Sequence, residues 1–507
     1  MSSHKITDID NLAKLSDEFR SQGKKVVLCH GTFDLMHTGH IRYLQRAQKE
    51  GDVLFVTVTA DEFVNKGPGR PVFSDRLRAE NLAALECVSC VAINYSPTAI
   101  DLLENIRPHL YVKGSEYRDH AKDLTGNITL EKNAVEKYGG AIFYTDEITF
   151  SSSTLLNEHF GVFSPETRRF LEEFGQTYSD RLIHEKINSL ANLKVLVVGD
   201  AIIDQYHYVS PLGQTGKGNV LAVQYESAEQ FAGGSLAVAN HVAKFSKSVS
   251  LLTGLGDHDS HEKFIREKLQ SNINPIFSYF VDAPTVTKRR FVDSDLAKLF
   301  EVYFFKDEPV FLDGGKNSIE WLENHLSKYD LVIIADFGNG FVSNEMVEVL
   351  CRKAPFLAVN TQINSGNRGF HVINRYSRAD FVSLNEPELR LAAHNRHDPI
   401  ELVCEATAKK LGAKGFAVTR GTKGVLLYDA RSATFDRVPA LSSRVIDRIG
   451  AGDAYLSLAS LCFAGGLDFS IANFVGSVAA AMDVQIVCNR EPIDPINLKK
   501  YISTLLK

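Results

Sequence analysis

The sequence predicts an α/β protein made of two successive domains, each built around a parallel sheet. Three observations predict it. Short runs rich in Val, Ile and Leu recur along the chain: KKVVLC, VLFVTVTA, LKVLVVGD, LVIIADFG and KGFAVTR. Each is too short for a helix, and amphipathic stretches separate them, which is the pattern of βαβ units. The runs fall into two series, one from Lys24 to Asn157 and one from Asn192 onward. The 507 residues also exceed the ~100–200 residues of a single domain. The expected division is 1–157, a helical connector over 158–190, and 191–507.

The bulk composition narrows the function. With 44% hydrophobic and 23% charged residues, the chain can bury sizeable cores. A net charge of −6 argues against nucleic acid or an acidic membrane as a partner held by bulk attraction. Seven scattered cysteines do not read as a disulfide framework. Cys87 and Cys90 form a lone CxxC, compatible with metal or redox use but better read as packing. The opening MSSHKITDID is polar, without the apolar centre of a signal peptide, and no run of 18 apolar residues occurs. A cytoplasmic setting is expected.

Between the two series, SPETRRFLEEF carries helix-start signals. Ser164 can cap, Pro165 suits the first helical position and Glu166 lies in the first turn. Phe170, Leu171 and Phe174 repeat at helical spacing, so an apolar face is expected to pack on one of the domains.

The first candidate site lies in CHGTFDLMHTGHIRYLQRAQKEGD. A strand over Val26–Cys29 runs through Gly31 into HTGH, and a helix follows with Ile41, Leu44 and Ala47 on one side. His37 and His40 are three apart near the helix start, so both can face one way. Gly39 permits close approach to the backbone. Free N–H groups at the helix start add partial positive charge. Two imidazoles and that terminus make a polyphosphate site. In nucleotidyl transfer an already anionic phosphate attacks the α-phosphorus, so catalysis is mostly positioning and charge stabilisation. The competing reading is a zinc pair with Asp34 as third ligand.

The segment GTFDLMHTGH resembles the HxGH signature of the cytidylyltransferase-like nucleotidyltransferases. KGPGRP (Lys66 to Pro71), Arg78, YVKGSEY (Tyr111 to Tyr117) and SSSTLL (Ser151 to Leu156) resemble further motifs of that family, in its order, over about 130 residues. The resemblance implies a Rossmann-like domain. It implies that His37, His40 and Lys66 act on the triphosphate. It implies a nucleotide site of Gly31, Phe33, Gly39, Arg78, Lys113, Ser152, Ser153 and Thr154. Lys113 can contact phosphate or shape its loop. The Ser and Thr residues can equally be ordinary helix caps.

The second series opens with GDAIIDQY, read as a strand ending at Gly199–Asp200 with Asp204 one turn later. FAGGSLAVANHVAKF, PTVTKRRFV, ADFGNGF, LNEPE and VTRGTKGV follow. The closing DRIGAGDAYLSLASL has clear physical logic. Backbone N–H groups of Gly450, Ala451 and Gly452 can form an anion hole at a helix start. Asp453 can take the proton of a hydroxyl attacking a γ-phosphorus. The same four residues can also be a tight turn with a capping Asp.

Together these motifs resemble the ribokinase-like (PfkB-family) carbohydrate kinases over nearly 300 residues. The resemblance implies Asp453 as base and Gly450, Ala451 and Gly452 as anion hole. It implies Asp204, Gly233, Gly234, Asn240, Lys288 and Arg290 on the sugar. It also implies Asn385, Glu388, Thr419 and Gly421 on the nucleotide and its Mg²⁺. The pairing of domain types is similar to the bifunctional heptose kinase/adenylyltransferases, but in reversed order. Two departures stand out. Arg448 replaces the family's threonine, and Asn360–Thr361 replaces an Asp-Pro.

The expected function is therefore double: phosphorylation of a sugar by ATP, and transfer of a nucleotidyl group to a sugar 1-phosphate with release of pyrophosphate. ATP and CTP both suit the donor role. The alternative is a nucleotidyltransferase whose kinase-like domain only binds sugar or nucleotide. The expected partners are sugar or sugar phosphate and nucleoside triphosphate, with neither nucleic acid nor membrane, and pairing into a homodimer fits the kinase fold.

Overall fold

The computed structural model describes residues 3–64, 67, 69–118, 127–145, 163–367 and 369–506. The chain divides into two compact units: Met1–Ser164 with Lys499–Lys507, and Pro165–Leu498.

In the first unit the strands are β1 (Ile6–Thr7), β2 (Val26–Gly31), β3 (Val53–Thr59), β4 (Cys90–Asn94), β5 (Leu110–Gly114) and β6 (Ala141–Thr145). They form one sheet in the order β1-β4-β3-β2-β5-β6, with every pair parallel. Around it lie α1 (Ile9–Ser21), α2 (Thr38–Gln48), α3 (Asp75–Ala83), α4 (Ile100–Ile106) and α5 (Asn127–Glu136). Successive residues of β2 point to opposite faces. Val27 and Cys29 join Leu44 of α2 and Leu82 of α3 in one core. Val26 and Leu28 join Leu12 of α1, Leu103 of α4 and Val135 of α5 in another. With both faces covered, the strands read as continuous apolar runs. The strand order reverses between β2 and β5, so a crevice opens at their C-terminal ends, where such sheets bind ligands.

The second unit opens with α6 (Pro165–Thr177) and α7 (Asp180–Ser189). Phe174 of α6 stacks on Phe474 with ring centroids 4.3 Å apart. The strands follow as β7 (Lys194–Gln214), β8 (Leu221–Gly234), β9 (Ser248–His258), β10 (Ile273–Pro284), β11 (Thr287–Val292), β12 (Lys298–Phe304), β13 (Val310–Phe311), β14 (Leu331–Asp336), β15 (Leu357–Thr361), β16 (Phe381–Asn385), β17 (Gly415–Thr419), β18 (Val425–Asp429) and β19 (Thr434–Val438). The main sheet runs β13-β10-β9-β7-β14-β15-β16-β17-β18-β19. It is parallel from β10 to β17, with antiparallel strands at its edges.

Here the expectation for the opening strand needs correction. β7 does not end at Asp200 but continues to Gln214, so Asp204 sits on a strand rather than one turn later. Its outer half is paired on both sides, antiparallel to β8 and parallel to β11, which in turn pairs with β12. Ile202, Ile203 and Tyr206 are buried there. Two ladders of backbone hydrogen bonds outweigh the turn tendency of a Gly-Asp step.

The helices that bear on the second site are α8 (Ser235–Ala243), α9 (Glu262–Lys268), α10 (Glu386–Ala392), α11 (Ala451–Ala464) and α12 (Phe469–Asp483). Most of α11 and α12 is buried on every side, which explains their nearly uninterrupted apolar sequence. All seven cysteines are free, and burial raises the thiol pKa of Cys87 and Cys90. No helix among the described residues is long and apolar enough to cross a membrane.

Candidate active sites

In the first unit, β2 delivers the chain to the crevice and α2 starts there. His37 is the N-cap of α2, and its Nδ1 accepts the Gly39 N–H at 3.1 Å. An accepting Nδ1 leaves the proton of a neutral imidazole on Nε2. Burial lowers the His37 pKa and so favours that neutral form. Its Nε2 is buried and has no hydrogen-bond partner among the described residues. The His40 ring stacks on His37 at 4.0 Å, and Phe33, in the left-handed region at φ 48°, meets His40 edge-on at 5.6 Å. Gly31 ends β2 beneath Phe33, and Gly39 lies in the first turn of α2. Neutral donors at a helix start suit an anion that brings its own charge.

Asp34 does not stand with the two histidines as a third ligand. Its carboxylate accepts the N–H groups of Val72 at 2.8 Å and Phe73 at 3.0 Å, tying down the loop before α3. Arg78, expected on the nucleotide, has no exposed surface. It donates to the carbonyls of Phe73, Thr32 and Thr59 and to Asp61 at 2.5 Å. Its place is under the site, joining the loops that follow β2 and β3. Lys113, at the end of β5, is likewise buried and pairs with Glu131 of α5 at 2.9 Å. Burial works against its charge, but Tyr111 and Glu131 prevail and raise its pKa. That geometry suits loop shaping. Lys66, Ser152, Ser153 and Thr154 lie outside the described residues.

In the second unit, β7, β8 and β11 bring Asp204, Gly233, Lys288 and Arg290 together. Arg290 donates to Asp204 and, at 3.1 Å, to Glu301. Burial lowers the Lys288 pKa, while Asp204 opposes the shift. Gly234, at φ 61°, turns the chain directly into α8. Asp453 stands in the first turn of α11, after Gly450 at φ 98° and then Ala451 and Gly452. Burial first, then the charge of Asp204, push the Asp453 carboxyl up to about 7, with Lys288 pulling the other way.

Asn385 and Glu388 form a capping box on α10: each side chain accepts the other's backbone N–H at 2.8 Å. The second Glu388 oxygen accepts from Ile363 at 3.3 Å, and burial pushes this carboxyl up to about 7. Thr419 closes β17, and Gly421, at φ 58°, opens the turn after it. Asn240 stands on α8. It accepts from Gln270 at 3.0 Å and donates to the Lys268 carbonyl at 3.2 Å, on the side of α8 that meets the end of α9. Asn360 donates to the Ser383 carbonyl at 2.7 Å, and Arg448 is exposed.

Two carboxylates escaped the sequence reading. Asp200 accepts N–H groups of Phe337, Asn339 and Phe341, fixing the loop after β14. Burial, then the charge of Asp336, push it up to about 6. Asp336 is also buried, yet His371 at 2.6 Å, Arg375 at 3.0 Å and Tyr376 at 2.7 Å hold it below the usual carboxylate range. Both end apolar runs on the neighbouring strands β7 and β14, the one signal that could have found them.

Residues 192–493 match the family model described as pfkB family carbohydrate kinase, and residues 28–159 match the one described as cytidylyltransferase-like. In the N-terminal region the chain is 36% identical over 156 residues to the bifunctional protein HldE of Syntrophotalea carbinolica, and 39% identical over 140 residues to that of Geobacter metallireducens. These segments cover 30% and 27% of this chain and the same shares of the two relatives, so the chain matches less than a third of their length. Among solved structures, the ribokinase of Thermotoga maritima aligns at 19% identity and a TM-score of 0.46, over 60% of this chain and 98% of that one. Phosphofructokinase-2 of Escherichia coli aligns at 13% identity and a TM-score of 0.49, over 61% and 98%. With Asp204, Lys288, Glu388 and Asp453 all inside the segment that the larger family model matches, the chain belongs to the pfkB family of carbohydrate kinases.

Proposed function

We propose that the chain is a two-activity enzyme that prepares activated sugars. The pfkB unit phosphorylates a sugar or sugar phosphate with ATP. The cytidylyltransferase-like unit joins a sugar 1-phosphate to a nucleotide and releases pyrophosphate. The observation that carries this reading is Asp453, a carboxyl held near neutrality at a glycine-rich helix start, with Asp204 and Lys288 beside it.

In the kinase step, Asp204 and Lys288 orient the sugar. Asp453 takes the proton of the attacking hydroxyl, and a pKa near the working pH suits a general base. The backbone N–H groups of the Gly450–Gly452 turn receive the charge that builds on the phosphoryl oxygens. Mg²⁺ fits this neighbourhood, because it ordinarily takes one or two carboxylates and leaves the remaining positions to phosphates and water. Glu388, whose charge is felt at Asp453, would hold it and leave Asp453 free to act as base. Bound there, the ion would neutralise phosphate charge.

In the transferase step, a phosphate oxygen of the sugar 1-phosphate attacks the α-phosphorus in line. His37 Nε2–H, His40 and the start of α2 stabilise the pentavalent charge. Both ATP and CTP suit this site as donor. The likeness to the bifunctional heptose kinase/adenylyltransferases favours ATP and a heptose-like sugar.

The test is a turnover screen with separate readouts. Pyrophosphate release is followed for each nucleoside triphosphate against sugar 1-phosphates, and ADP formation against sugars and sugar phosphates. Activity in both supports the proposal. Pyrophosphate without ADP means that the pfkB unit only binds.

A further inference from the structure

A buried polar group stands behind the anion-hole turn and takes no part in the chemistry above. Asp483, the last residue of α12, has no exposed surface, and neither carboxylate oxygen has a hydrogen-bond partner among the described residues. Gly450 lies directly against it. A Cβ on residue 450 would fall 2.7 Å from Asp483 Oδ2 and 2.3 Å from Asn489 Oδ1. The chain leading into the turn is docked on the same helix end: Ile446 and Asp447 donate to the Val484 carbonyl at 2.7 and 3.3 Å. The seat of the anion hole is therefore Asp483, Val484 and Asn489.

The charge of Asp483 follows from its neighbours. From α8, His241 approaches with Nε2 4.0 Å from Asp483 Oδ1. His241 Nδ1 accepts the Ile493 N–H at 3.1 Å, so that nitrogen bears no proton and the ring is neutral. Burial lowers the His241 pKa in agreement with this. The other titratable groups facing Asp483 are Asp447, on the approach to the turn, and Asp453, in the first turn of α11. Both are carboxyls. The Asp447 carboxylate already accepts from Tyr206, Ile449 and Cys488. The Cys488 thiol is kept protonated by burial. No cation among the described residues pairs with Asp483. An unpaired buried carboxylate is untenable, and the group resolves this by keeping its proton.

We infer that Asp483 is a positioning residue that works as a neutral carboxylic acid, its side chain packed against the Gly450 turn and its lack of charge leaving the anion hole attractive to phosphate. If it ionised, a negative charge would enter the floor of the hole and oppose the nucleotide. This rests on the kinase reading for its consequence, though not for the protonation itself.

The test uses the full chain and its Asp483→Asn variant, which keeps a neutral donor but cannot ionise. Infrared difference spectra at pH 7 should show a protonated-carboxyl band in the parent that the variant lacks. The ATP KM of the parent should rise about tenfold at alkaline pH, the order expected when one charge is set against an anion in a part-buried site. The variant's KM should stay flat, and a melting transition of the Pro165–Leu498 unit retained in the variant reports that this unit is folded. A spectrum unchanged by the substitution, or an alkaline rise that persists in Asp483→Asn, overturns the inference. If the parent turns over no ATP but the band is lost in the variant, the kinase reading fails while the protonated prop stands.

Discussion

Asp204 and Gly233 face each other across the β7–β8 ladder so closely that a Cβ on residue 233 would lie 2.0 Å from the Asp204 carboxylate. The glycine is there because the carboxylate fills the space a side chain would use. Gly233→Ala must therefore displace Asp204 and weaken its bond to Arg290. Overpacking of this kind costs about 1–3 kcal/mol. The expected result is a higher KM for the sugar with little change in the KM for ATP, read from ADP formation, and a modest fall in melting temperature.

Asp453→Asn should cut ADP formation by about 10²–10⁴-fold, the usual worth of a general base, and leave pyrophosphate release intact. In the parent, the kinase rate should climb as pH rises through about 7, because only the deprotonated carboxyl accepts the hydroxyl proton. Stability should move the other way. A carboxyl raised from 3.8 in the unfolded chain to about 7 in the folded one favours folding below pH 4, and that contribution is lost as pH rises toward 7. Asp453→Asn should remove this slope from melting curves taken across that range.

His37 has two duties, as cap and as donor, and two variants separate them. His37→Asn keeps a side-chain acceptor for the cap, whereas His37→Ala also loses the cap, worth about 1 kcal/mol. Both should lose about 10²–10³-fold in pyrophosphate release if the Nε2–H serves the transition state. Only His37→Ala should lower the melting temperature. Retention of full release in His37→Asn would remove His37 from the chemistry.

Arg78→Ala should act on folding. It would leave Asp61 and three carbonyls without their donor. Asp61 is 40% exposed and regains water, but leaving a buried carbonyl without its donor costs about 1–3 kcal/mol for each group. The expected outcome is loss of the first unit's thermal transition together with pyrophosphate release, while ADP formation survives. A stable variant with only a raised nucleotide KM would put Arg78 back on the ligand.

The features legible in the sequence are those that local chain order dictates. In HTGH and GAGD, a turn and a helix start follow one another within a few residues, so the geometry is written where the residues are. The long reach of β7 was not legible, since Gly199–Asp200 carries turn chemistry and only pairing with β8 and β11 keeps the strand going. Nor can a sequence tell a cation facing phosphate from one facing a carboxylate of the protein itself. Lys113 meets Glu131 and Arg78 meets Asp61 only after separate segments pack.

The register of β7 against β8 slips between Tyr208 and Val209 and again between Pro211 and Gly213, while Ala201 to Tyr208 pair without interruption. Irregularities of this kind let a strand bend locally. The strand is therefore stiff where it carries Asp204 and pliable beyond it. A designer, or selection acting on duplicated genes, can thus lengthen, shorten or exchange the tip past Val209 without disturbing the carboxylate at its root.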